Sequence, residues 1–307
     1  MLTTRRRFAA LVAAAAAGLT ITSGVSQAAP ATDQATTTVA ASGTATKPLH
    51  VMSYNLRYAS DTPPNSWAER RPVMREQLRK ARPDLIGTQE GLYPQLQDIA
   101  ADLGPAYDSI GLGREGGSKG EFMMIFFDRR RLQPLEYDHY WLSDTPDVVG
   151  SQTWGGCCPR MVTWVRFLDK ATSQQFYAVN THLEAFDATA RSKSADLILQ
   201  RNAAFDPALP VLMTGDFNEA GKPGVTVYDK LVTSGKYADS WLTAERRSAL
   251  YATFHGYKPL TPNGDRIDWI LTTPGLRVQK ATIDTFSKDG QFPSDHLPVE
   301  SWIELTK

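Results

Sequence analysis

Residues 292–302 read FPSDHLPVESW. The apolar positions from Leu297 onward have the pattern of a strand, yet its entry sets an acid and an imidazole side by side, Asp295 and His296. Such groups stay out of protein interiors unless they are paired or hold a metal. Taken alone, the stretch fits an exposed edge strand with a polar entry, Pro298 blocking one ladder position. Five other apolar runs decide against that reading. SYNLR offers Asn55, GTQE ends on Glu90, NTHLE contains His182, TGDFNE supplies Asp216 and Asn218, and RIDWIL carries Asp268. One polar residue at a strand end is a turn or a cap. Six carriers in one chain would each need a separate partner, whereas strands sharing a sheet edge would bring them together.

The runs between these ends alternate strand and helix. PLHVMSYNLRY opens the fold. A helix follows over Trp67–Ala81, with Trp67, Met74, Leu78 and Ala81 at helical spacing and Pro83 beyond its end. DLIGTQE is a short apolar strand, and YPQLQDIAADLG a second amphipathic helix closed by Gly104. GEFMMIFFDRRRLQPLEYDHYWL reads as two strands about an Asp-Arg turn. Its first half is apolar on both faces, as inside stacked sheets. RMVTWVRFLD and QQFYAVNTHLE form a strand pair, and a helix over DATARSKSADLILQRNAAF turns Ala190, Ser194, Leu197 and Ile198 inward. Strand–helix units in both halves favour an α/β fold of two sheets packed face to face with helices outside.

The chain has 307 residues, 42% hydrophobic and 21% charged, an ordinary globular composition. Its first 28 residues have a basic start, an alanine-rich middle and a small-residue end, the build of an export signal cleaved after Ala28. Thr4-Arg5-Arg6-Arg7-Phe8 fits the twin-arginine address, so the protein is expected to be secreted, with no stable membrane insertion. Residues 29–47, rich in Ala, Thr and Ser, read as a disordered leader, and 48–307 as one catalytic domain, expected to be monomeric. Without the signal's three arginines, 30 basic side chains stand against 33 acidic ones, a net −3. That excludes a tight, sequence-blind nucleic-acid binder but not a nucleic-acid hydrolase, since bound cations supply local positive charge. Cys157 and Cys158 are adjacent, so no disulfide framework staples the domain. They form either a vicinal bridge or a pair of thiols beside a functional loop.

Oxygens from Asn55, Glu90, Asp216, Asn218 and Asp295 are hard ligands, suited to Mg²⁺, Mn²⁺ or Ca²⁺. His182 and His296 with acids beside them suit proton handling, and no Gly-x-Ser-x-Gly elbow nominates a serine. Together these groups compose a kit for phosphate-ester hydrolysis. His139 and His255 carry no motif and read as surface; Asp265 reads as a turn residue and Trp164 as core.

SYNLR, GTQE, GEFMMIFF, NTHLE, GDFN, RIDWIL and PSDHLPV, in that order from about residue 49 to 305, resemble the endonuclease/exonuclease/phosphatase family. That group includes DNase I, abasic-site endonucleases, sphingomyelinases and inositol-phosphate 5-phosphatases. GDFN followed by SDH is the specific part; TQE or NTH alone would be weak. The resemblance implies a four-layer α/β/β/α sandwich and a metal-dependent attack of water on phosphorus, with Mg²⁺ (or Mn²⁺ or Ca²⁺) as cofactor. Glu90 would be the principal metal ligand, with Asn55 and Asp295 beside it. Asp216 would orient or deprotonate the water, and Asn218 would hold phosphate or metal. His296, paired with Asp268, would stabilise the transition state, and His182 would pair with Glu121. Arg57 and Arg160 match phosphate-gripping arginines. Trp154, on a glycine-rich loop near Arg160, either stacks a flat part of the substrate or packs the loop onto its own domain. The substrate is a phosphate ester: a phosphodiester, nucleic acid included, or alternatively a phospholipid or sugar phosphate. A catalytically dead binding protein would be expected to lack a ligand of this set, and all are present.

Overall fold

The computed structural model describes residues 47–305. The expected signal and all but the last residue of the leader lie outside the described residues. The order is β1 (Leu49–Asn55), α1 (Trp67–Ala81), β2 (Leu85–Gln89), α2 (Tyr93–Leu103), β3 (Tyr107–Ile110), β4 (Ile125–Asp128), β5 (Leu132–Trp141), β6 (Met161–Asp169), β7 (Gln174–His182), α3 (Ala188–Asn202), β8 (Val211–Asp216), β9 (Ala238–Asp239), β10 (Asp268–Thr272), β11 (Arg277–Ile283) and β12 (Val299–Glu304). Short helical turns lie between β8 and β10. One sheet runs β11-β12-β1-β2-β4-β3, the other β5-β6-β7-β8-β10-β9. Each is mixed, with a parallel pair at its centre, β1 with β2 and β7 with β8.

Side chains alternate across each strand, and the alternation sorts them into three apolar layers. Leu49, Val51 and Leu85 of the first sheet meet Phe176, Ala178, Leu212 and Ile270 of the second between the sheets. On the outer face of the first sheet, Met52, Tyr54 and Ile86 pack against Trp67, Met74 and Leu78 of α1 and Leu96 and Ile99 of α2. On the outer face of the second, Val179, Met213, Trp269 and Leu271 receive Ala195 and Ile198 of α3. The result is the α/β/β/α sandwich.

Both helices of the first layer are punctuated locally. Ser66 caps α1 and its N3 residue Glu69 reaches back, a capping box; Gly104, at φ 82°, ends α2. The Asp-Arg turn after β4 does not close a hairpin. It carries the chain from one sheet to the other, with Arg131 fastening the crossing to Asp84 (2.7 Å) and Asp169 (3.1 Å). β12 lies between β11 and β1 rather than at an edge, and Asp295 and His296 sit in the loop before it. Trp164, expected in the core, is only partly buried and packs against Tyr177 and Phe205 on the outside of the second sheet.

The inner faces change character along the strands. β1 presents Leu49 and Val51, then Ser53 and Asn55; β7 presents Phe176 and Ala178, then Asn180 and His182; β8 presents Leu212, then Thr214 and Asp216. The gap between the sheets is dry at one end and polar at the other. Asn180 holds the polar end together. Its amide N–H groups donate to Thr88 O (2.8 Å) and Met124 O (3.1 Å), and its Oδ1 accepts from Gln89 (2.8 Å) and Thr214 (3.0 Å). Every bond the side chain can make is made, across two sheets. Gly87 lets the sheets come this close, since a Cβ there would lie 1.9 Å from Thr214 Oγ1 and 2.8 Å from Asn180 Oδ1. Gly87→Ala should therefore lower stability by about 1–3 kcal/mol, read from urea unfolding; an unchanged midpoint would mean that the sheets do not meet as described.

Candidate active site

At the polar end, register aligns the predicted residues. His182 on β7 pairs with Asp216 on β8, and Asp216 with Asp268 on β10, so three strands bring their functional side chains to one rung. In the facing sheet, Asn55 on β1 is level with Gln89 on β2, and Glu90 follows immediately. The Asn55 amide spans the gap, donating to Glu90 Oε1 and Asp216 Oδ2, each at 2.9 Å. Asp268 Oδ2 holds His296 Nδ1 at 2.9 Å, and the other ring nitrogen stands 3.8 Å from Asp216 Oδ2. Side chains spread over 242 positions of sequence thus share one wall.

The two sheets deliver them with the same turn. Asn55 Oδ1 accepts from the Arg57 N–H at 3.0 Å, and Asp216 Oδ1 from the Asn218 N–H at 2.9 Å. Each is an Asx turn whose middle residue, Leu56 or Phe217, is fully buried. Arg57, Asn218 and Glu90 all take left-handed backbone, φ 53°, 51° and 62°, at the exits of β1, β8 and β2. Non-glycine residues pay about 1–2 kcal/mol for that conformation, and its recurrence at one sheet edge is what a functional site does with strain.

The two histidines are equally buried and oppositely charged. Burial alone would lower the His296 pKa, but Asp268, Asp216 and Asp295 override it and hold the ring protonated, with its pKa at about 10. His182 also stands near Asp216, at 3.5 Å, but has no acid bonded to it and has cations at its flank. Burial first, then Arg160 and His296, push it well below the ordinary value, so it is a neutral imidazole whose Nε2 accepts from the Asn218 amide at 3.0 Å. Its Nδ1 has no hydrogen-bond partner among the described residues. Asp216 is raised to about 7 by burial and by Asp268, and burial also raises Asp295. A pocket holding Glu90, Asp216, Asp268 and Asp295 carries more negative charge than its fixed cations balance.

That imbalance suits a hard cation. Glu90, Asp216 and His296 each offer an atom within 4.8 Å of the others. His296, protonated and engaged with Asp268, is a donor rather than a ligand, which leaves the oxygens of Glu90 and Asp216. The –NH₂ of Asn55 stands between those two carboxylates and donates to both, its oxygen being held by the Arg57 N–H. The residues fit the expected ion class.

Other expectations need correction. Glu121 is not the partner of His182. It pairs with Arg114 at 2.7 Å, because the turn before it folds Arg114 back across seven residues. Arg160 does reach the site's flank, nearly buried, with Nε 3.3 Å from Glu184 Oε2 and NH1 free of any partner among the described residues. Cys157 and Cys158 are joined to one another beside it, the Cys157 N–H donating to Glu184 Oε2 at 3.3 Å. Arg57 stands 3.8 Å from Asp295 and is half-exposed. Trp154 packs the loop onto the domain: its Nε1 donates to Asp144 at 2.6 Å, Lys193 of α3 lies over its ring, and the cleft it lines contains none of the clustered acids. His255 is buried rather than at the surface. Its N–H donates to Asp295 O (2.9 Å) and its Nε2 faces Ser294 O (3.1 Å), bracing the His296 loop. His139 is half-buried against Thr163, and Asp265 binds Lys222 in an exposed turn, as a turn residue should.

Two sequence signals were missed. Ser294, inside the PSDH motif, ties its loop to Asn55 O at 2.7 Å. Glu184, the last residue of NTHLE, is the buried partner of Arg160.

Two facing mixed sheets with helices outside, carrying an acid–imidazole rung at one edge, define a DNase I-like protein. The chain belongs to the endonuclease/exonuclease/phosphatase family, whose model matches residues 52–296. The members of that family are phosphoester hydrolases. Among solved structures it is similar to an endonuclease/exonuclease/phosphatase family protein from Bacteroides thetaiotaomicron, 34% identical over 83% of this chain and 97% of that one, TM-score 0.78. It is also similar to a mannosyl-6-phosphatase of the same organism, 34% identical over 83% of this chain and 99% of that one, TM-score 0.77. The human Nocturnin catalytic domain, 20% identical over 84% and 95%, TM-score 0.65, shares the fold. No curated protein sequence matches.

The His296 pKa sets a pH test. Its folded value lies above the ordinary 6.5, so the stabilisation from the Asp268 pair is whole below about pH 6.5 and is lost as pH rises toward about 10. The stability gap between wild type and Asp268→Asn should narrow across that window in urea melts, with the ring of the variant titrating at lower pH by imidazole NMR. A gap constant with pH would show that the pair is not ionic.

Proposed function

We propose that the chain is a secreted, divalent-cation-dependent phosphoester hydrolase acting on a phosphate monoester carried by a sugar. The observation that carries the catalytic part is the shared rung, where a buried carboxylate (Asp216) lies between a neutral imidazole and a protonated one. Asp216, with its pKa near neutrality, takes the proton of the attacking water. His296, kept charged by Asp268, donates to a phosphoryl oxygen as negative charge spreads there. The Asn218 backbone N–H and the Asn55 amide fix the position of Asp216, His182 holds the Asn218 side chain beside it, and the unpartnered NH1 of Arg160 and the half-exposed Arg57 are available to grip phosphate. A hard cation held by Glu90, with Asn55 and Asp295 beside it, would neutralise phosphoryl charge.

The sugar part is supported by the mannosyl-6-phosphatase, which is 34% identical across nearly its whole length, and by a net charge of −3 without the export segment, which suits a small substrate better than a duplex. The twin-arginine-like start supports secretion, and among the described residues no helix is long and apolar enough to cross a membrane.

With Mg²⁺ or Mn²⁺ the purified protein should release phosphate from mannose 6-phosphate and stop when EDTA is added. Glu90→Ala and His296→Ala should each lower kcat/KM on the order of 10²–10³-fold while melting like wild type. The panel includes bis-p-nitrophenyl phosphate, DNA, RNA, sphingomyelin and inositol phosphates. Faster turnover of a diester would refute the sugar assignment, and inertness toward the whole panel would refute the hydrolase.

A further inference from the structure

Arg70, on the first turns of α1, is fully buried although it carries a charge. A guanidinium has five N–H donors, and here all five are used. Nε donates to Asn65 O (3.0 Å), NH1 to Leu56 O (2.9 Å) and Pro293 O (2.9 Å), and NH2 to Arg57 O (3.1 Å) and Tyr58 O (3.0 Å). Every acceptor is a backbone carbonyl rather than a carboxylate. A buried cation with no acid bonded to it among the described residues is an expensive way to hold a loop, and the identity of the loops explains its use. Residues 56–58 leave β1 directly after Asn55, and Tyr58 N–H donates to Glu90 Oε2 at 3.3 Å. Pro293 stands two residues before Asp295 and three before His296. The segments come from opposite ends of the chain, 223 positions separating Arg70 from Pro293.

We propose that Arg70 is a positioning residue for the reaction: its planar fork sets the distance between the Asn55–Glu90 side of the pocket and the Asp295–His296 side. The inference rests on the reading of that pocket as a phosphoester-hydrolysing site. Lysine could not replace it, because three rotatable donors on one nitrogen cannot reach carbonyls fanned across a plane. A plain structural role predicts something else, a less stable protein whose folded molecules turn over normally. Positioning predicts normal folding with slow chemistry, since an error of about 1 Å between reacting groups costs on the order of 10²-fold.

The test compares wild type, Arg70→Lys and Arg70→Ala, with the folded fraction taken from calorimetry. Arg70→Lys should lose on the order of 10²-fold in kcat per folded molecule with KM within about threefold. Methylguanidine at millimolar concentration should restore at least tenfold of the rate of Arg70→Ala and leave His296→Ala unimproved. Wild-type kcat in folded Arg70→Lys would overturn the proposal, as would a loss in Arg70→Ala that follows the unfolded fraction and ignores methylguanidine. If Arg70→Lys does not fold, the methylguanidine arm decides. Should wild type prove inert on every ester, the hydrolase reading fails by itself. Arg70 is then judged by Mn²⁺ titration calorimetry, where Arg70→Lys should bind the ion at least tenfold more weakly and equal affinity would refute it.

Discussion

The polar seam between the sheets is the constraint on which the molecule turns. Two sheets ordinarily meet through interdigitated apolar side chains, and for most of their length these do. At one end, Asn180 replaces that contact with four hydrogen bonds that reach both sheets, and Gly87 removes the side chain that would hold the sheets apart. Beyond this layer the gap can carry charge, because the acids are backed by satisfied polar groups rather than by hydrocarbon. The acidic rung is therefore the last layer of a graded interface.

Charge within the rung is divided by neighbours. His182 and His296 are buried alike and both stand beside Asp216, yet His182 also meets Arg160 and the Asn218 amide while His296 is bonded to Asp268, so one stays neutral and the other charged. Pairs of titratable groups pushed apart in this way mark acid and base roles. Burial leaves Asp216 between them near neutral pKa.

The scaffolding around the rung is mostly backbone chemistry. Paired Asx turns at Asn55 and Asp216 aim corresponding residues from the two sheets into one gap, and left-handed residues after the strands bring the chain round sharply enough to do it. Arg70, Ser294 and His255 then fasten the His296 loop by main-chain oxygens and amides. The mouth of the pocket is built from pieces far apart in sequence and fixed by few side chains.

Much of this was legible in the sequence. Apolar runs that end in Asn55, Glu90, His182 and Asp216, or that follow Asp268 and the Asp295–His296 pair, announce strands with a functional edge, because strand alternation and the cost of burying charge act on every residue locally. The bounds of α1 and α2 were written by Trp67, Pro83 and Gly104 in the same way. Partnership was not legible. Glu121 turns to Arg114, Trp154 to α3, and His255 inward, since each contact depends on where a distant loop returns. Arg70 looked like one more arginine in a charged helix because its partners are carbonyls, which every residue has. Local order along the chain is enough to set the strands, their order of polarity and the chemistry at their ends. Which of those ends meet is set in three dimensions, because register and loop closure come from packing between segments that the chain's order keeps apart.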